Sequence, residues 1–84
     1  MRLPIIKHLH KFIAENDPDF VHETILVLEH LSESQSIKDE ELDVLGELLS
    51  NMYGALEVHE MVIKGKSEKD ALNEFMKRVV GSVD

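Results

Sequence analysis

Cysteine is absent from this chain of 84 residues. That excludes disulfides, thiol catalysis, iron–sulfur ligation and Cys-based zinc sites. It also fits a reducing cytoplasm. Positive charge is scarce: nine Lys and Arg stand against seventeen Asp and Glu, a net charge of −8. Such a surface repels phosphate backbones. With aromatics at 5%, no basic stripe interleaved with rings overrides that repulsion. Long hydrophobic runs are missing too. The longest is Ile25–Leu28, too short for a signal peptide or a membrane span. No prenylation box and no glycosylation sequon occurs. The four glycines are scattered, so no glycine-rich loop can cradle a phosphate. The expectation is a soluble cytoplasmic protein with no nucleic acid, no membrane and no cofactor.

What remains is one small domain, residues 1–84. A chain of this size buries only ~60% of its unfolded surface, and oligomerisation is a usual remedy. The charge is segregated. Residues 1–14 hold Arg2, Lys7 and Lys11 without an acid, whereas residues 15–60 hold thirteen acids and one Lys. The acidic middle reads as a solvated surface. Pairing of the basic ends with it, within or between subunits, is the sharper alternative.

Helical signals divide the chain into four helices, an all-α fold. The first spans about Leu3 to Glu15, with Pro4 in its first turn, where a missing N–H costs nothing. Asn16-Asp17-Pro18 breaks it. The second runs from about Pro18 to Leu31, with Phe20, Val21, Thr24, Ile25, Val27, Leu28 and Leu31 on its apolar side. Leu26 falls on the polar side. Ser36 or a neighbour caps the third helix, Asp39 to Lys64, which ends at Gly65 in a left-handed position. Ser67 and Asp70 form a capping box for the fourth, about Glu68 to Val80.

The third helix dominates. At 1.5 Å per residue it is roughly 39 Å long, against roughly 20 Å for the others. Its apolar repeat is Leu42, Leu45, Leu49, Met52, Leu56, His59 and Ile63. Beside it lies a second stripe, Val44, Leu48, Ala55, Val58 and Val62. Together they are wider than a simple amphipathic stripe needs. Either the helix breaks near Asn51–Gly54, or it stays straight and a second subunit covers it. Unbroken phase across Gly54 favours a continuous helix, with the first repeat as the interface of a helical homodimer.

The more polar side carries Gly46, Ser50 and Gly54 at four-residue spacing, among Asp43, Glu47 and Glu57. These small residues are either tolerated weak points, at ~1 kcal/mol per Gly relative to Ala, or a surface where another backbone comes close. With Tyr53, Glu57 and Met61 they form the expected surface for a protein partner.

Candidate chemistry is sparse. His8 and His10 diverge on a helix and cannot chelate together. Asp19, His22 and Glu23 cluster at helical spacing and are the one weak metal candidate. Neither a Glu-x-x-His nor a His-Glu-x-x-His motif occurs. No nucleophile elbow is present, and the carboxylates read as solvated helix faces, so no catalytic residue is assigned. His59 sits in the apolar repeat, as a satisfied core or interface residue or as a pH-sensitive element of the dimer.

Several stretches together carry a resemblance. They are Leu3-Pro4-Ile5-Ile6-Lys7, Asp39 through Leu48, Ser50-Asn51-Met52-Tyr53-Gly54-Ala55 and Ala71 through Val79. In these the chain resembles a small all-helical bacterial domain family of unknown function. The resemblance brings no catalytic residue. It implies an accessory role in redox homeostasis, beside thioredoxin-like and peroxiredoxin proteins. The expected function is therefore a non-catalytic accessory or interaction domain that self-associates through its third helix. The alternative is a small metal-responsive or enzyme-like protein using Asp19, His22 and Glu23.

Overall fold

The computed structural model describes residues 2–81. Four helices follow in order: α1, Leu3–Glu15; α2, Asp19–Ser32; α3, Asp39–Ile63; α4, Glu68–Gly81. No strand occurs among the described residues.

Local chemistry sets the ends. Pro4 lies in the first turn of α1. The Asp17 carboxylate accepts the Asp19 N–H at 2.9 Å and opens α2. Ser67 Oγ accepts the Asp70 N–H at 3.1 Å and opens α4. Gly65, at φ 114°, is the one described residue with a positive φ. It turns the chain out of α3 where a side chain would be strained. Of the residues around Ser36, Lys38 is the N-cap of α3, and its N–H donates to Glu41 Oε1 at 3.0 Å. The Glu at the third helical position reaches back to the cap residue's own N–H, the return half of a capping box.

The third helix is a single unbroken α-helix of 25 residues. The break considered near Asn51–Gly54 does not occur. Asn51 Nδ2 donates to the Glu47 carbonyl at 2.8 Å, four residues back along the helix. Its Oδ1 accepts the Arg2 N–H at 2.9 Å, so α3 supplies an acceptor to the start of α1.

Each of the other helices packs on α3. Arg2 meets Asn51, Ile6 lies by Gly54, and His10 faces His59. So α1 runs beside the C-terminal half of α3 in the same direction. Short turns send α2 and α4 back the other way. The core is Ile6 and Ile13 of α1, Val21 and Ile25 of α2, Ala55 and Val58 of α3, and Ala71, Leu72 and Phe75 of α4.

The shape follows from one spine with three neighbours. The Cα extents are 43 × 35 × 17 Å. Helix Cα atoms lie ~2.3 Å from their axis and packed axes stand ~8–10 Å apart, so this is a slab about two helix layers thick. Its second stripe, not the first, faces deepest: Ala55 and Val58 are fully buried. Of the first repeat, Leu45 is buried and Leu49, Met52 and Leu56 are half-buried against the chain's own core, while Leu42 and Ile63 are exposed. The chain itself thus covers the middle of the stripe that was expected to face a partner.

Candidate functional site

The polar side of α3 does not form one open surface. Gly54 is buried. A Cβ there would lie 3.0 Å from both Ile6 Cδ1 and the Phe75 ring. What comes close to this glycine is not another backbone but two side chains of the same chain, Ile6 of α1 and Phe75 of α4. Gly46, by contrast, has nothing within 4 Å of such a Cβ. Met61 packs against the core. Glu57 is paired with Arg78 of α4, whose guanidinium also lies over the Phe75 ring at 5.7 Å. Ser50 is half-buried, and Ser50, Gly54, Phe75 and Val79 line one shallow recess between α3 and α4. Tyr53 is exposed, and its hydroxyl donates to Glu29 of α2. That hydrogen bond, with partial burial and the carboxylate charge, raises the phenol above its ordinary value. As a partner surface, the set Gly46, Ser50, Tyr53, Gly54, Glu57 and Met61 is largely the berth of α4 and the edge of α2.

Asp19, His22 and Glu23 are exposed at the start of α2. Among the described residues no group of three or more His, Asp or Glu side chains is placed to hold a metal ion.

The open apolar surface lies elsewhere. On α2 only Val21 and Ile25 are buried. Phe20, Val27 (66% exposed) and Leu31 were expected on the covered side, yet they stand in solvent. They form a row at spacings of seven and four, one face of a helix. The physical reason is the thin slab: α2 has α3 as its main neighbour, so only a narrow stripe is covered. The edge of the Phe20 ring meets Phe12 of α1, with centroids 6.2 Å apart. At the other end, Leu31, Ile37, Val44 and Leu45 line one apolar groove, with Glu40 and Glu41 among its walls. Val44 and Leu48, 59% and 41% exposed, carry this surface along the N-terminal half of α3, beyond the start of α1.

A third feature is buried. His10 of α1 is only 3% exposed. Its Nδ1 lies 2.7 Å from Glu68 Oε2 of α4. Its ring centroid is 5.6 Å from that of His59, with the planes at 49°. His10 Nε2 and His59 Nδ1 are both buried without a hydrogen-bond partner. Burial, then the neighbouring His10, holds His59 below its ordinary value of 6.5, while Glu60 opposes the shift. His10 was set aside in the sequence because it cannot chelate with His8. Its useful signal was position, since Ile6, His10 and Ile13 fall on one helical face.

A family model matches residues 1–84, the whole chain. The chain belongs to DUF6952, a family of unknown function. No curated protein and no solved structure matches it. The four-helix slab and the three features above are thus the structural description of this DUF6952 chain. No described helix is long and apolar enough to cross a membrane.

Proposed function

We propose that this chain is a non-catalytic interaction domain that self-associates through α3, its partner being a second copy packed on the N-terminal half of that helix. One observation carries the reading: an apolar groove of Leu31, Ile37, Val44 and Leu45 is left open, and Val27 and Leu48 on the same two helices are exposed as well. The area supports it. A compact monomer of 9.6 kDa exposes about 5,100 Å². This chain exposes 5976 Å². The excess of roughly 900 Å² reflects the flat shape and leaves more surface open than a compact chain of this mass has. A two-fold axis would set the open half of each α3 against its counterpart. The interface then centres on Val44 and Leu48 and takes in Leu42 at its edge, rather than running from Leu42 to Ile63. Such a domain would act as an accessory to redox enzymes by docking alone, since it has no thiol.

Sedimentation of the protein is the test. The wild type is expected to dimerise in the micromolar range. Val44→Glu with Leu48→Glu should weaken the dimer by more than about 100-fold, because two apolar anchors become charges inside an apolar contact. Helical content should be unchanged, as both side chains are already in solvent. A clean monomer at high micromolar concentration would remove the proposal.

A further inference from the structure

We propose that His10, His59 and Glu68 form a proton-sensitive clasp that fastens α1 and α4 to the C-terminal half of α3 near neutral pH and releases them in acid. The clasp joins three helices at one point. Glu68 comes from α4, His10 from α1 and His59 from α3.

The hydrogen positions follow from donor chemistry. An ionised carboxylate only accepts, so His10 Nδ1 carries its proton toward Glu68 Oε2. In neutral His10 the other nitrogen, Nε2, is then a bare acceptor. It is one of the two buried atoms without a partner, and His59 Nδ1 is the other. A proton on His59 Nδ1 would give both a partner through a single N–H···N link between the adjacent rings, whose centroids are 5.6 Å apart. Glu68, His10 and His59 then form one chain of donors and acceptors. A single added proton keeps the chain intact, because one ring still offers an acceptor. When both rings are cationic, both inward nitrogens are donors and nothing accepts. Two like charges then face each other in a buried junction, a strongly unfavourable arrangement.

The surroundings offer little relief. Glu60 acts on His59 from its own helix, and Glu68 acts on His10 from α4. No charged group of α2 acts on His59. Leucine at either position would make a simpler contact, so the paired imidazoles, a side-chain type that can change charge in the physiological range, supply a response that packing alone does not. The sequence offered His59 as a core or interface residue; its ring faces His10 of α1.

The sign follows from His59. Its folded value is depressed, so the folded state prefers the neutral ring. The stability it contributes is fully present above 6.5 and is lost as pH falls below that value. Thermal and urea unfolding of the full chain from pH 7 to pH 5 tests the clasp, with His59→Phe and His59→Gln as comparisons. The wild-type folding constant should fall further than that of either variant over this range, because only the wild type carries the depressed ring. Equal pH dependence in all three proteins overturns the proposal. If the variants fold poorly, the His59 ring resonance of the folded wild type decides alone. A midpoint below 6.5 supports the clasp, and a midpoint at or above it overturns it. Repeating the series at two protein concentrations separates the clasp from self-association, which stands or falls on other residues.

Discussion

Replacing Phe75 by alanine should destabilise the protein by about 3–5 kcal/mol. The ring is 2% exposed and lies where α4 crosses Gly54 of α3. Its loss removes the largest fully buried side chain in the core. The surrounding walls are helix backbone and the branched Ile6, which cannot collapse freely into the gap. The guanidinium of Arg78 loses the ring beneath it as well. A chain of this length has a total stability of about 4–13 kcal/mol, so the variant should be marginal at room temperature. Urea unfolding of the two proteins measures the difference. A loss below about 1 kcal/mol would mean that α4 does not pack as described, since cavities of this kind cost several times that.

The second large effect is expected at Gly54. Valine there should cost about 3 kcal/mol or more, through overpacking and forced helix displacement. A Cβ alone already comes within 3.0 Å of Ile6 and Phe75, and two further methyl groups have nowhere to go. Gly46 provides the control. It lies in the same small-residue stripe, eight residues earlier, with open space around it. Gly46→Ala should stabilise by up to about 1 kcal/mol, the ordinary gain from removing a glycine in a helix interior. Thermal melts of the two variants should therefore move in opposite directions. A melting temperature that rises for Gly54→Val would refute the close packing of α1, α3 and α4.

These two glycines show what was legible in the sequence and what was not. Both are helical, and spacing alone cannot tell them apart. The difference is made by Ile6 and Phe75, which arrive from distant parts of the chain. Helix boundaries were legible because caps are local: Asp17, Ser67, Gly65 and Pro4 act within a turn of where they stand. The unbroken course of α3 was legible from its continuous apolar phase. Which side of α3 would face inward was not, because both stripes are apolar and the choice depends on where α1 settles. The exposed row on α2 was hidden for a related reason. Periodicity finds an apolar face, but it does not say how many neighbours share it. His10 and Asn51 gain their importance from contacts with residues that are far away in sequence.

The parallel run of α1 beside α3 bears on the order of assembly. Tyr53 and Glu29, which tie α2 to α3, are 24 residues apart. Arg2 and Asn51 are 49 apart, and His10 and Glu68 are 58 apart. Closing the longer loops costs more chain entropy before any contact repays it. The pair α2–α3 should therefore form early, and α1 should dock last, after the residues of α4 are in place. During synthesis the first helix precedes α3 and has little to pack on until that helix has followed. Its exposed face at that stage includes Ile6 and Ile13, two of the most deeply buried side chains of the finished fold. Mutational rate analysis can check this order: Ile6→Val and Ile13→Val should speed unfolding while leaving the folding rate nearly unchanged. A pronounced slowing of folding in those variants would place α1 in the nucleus instead.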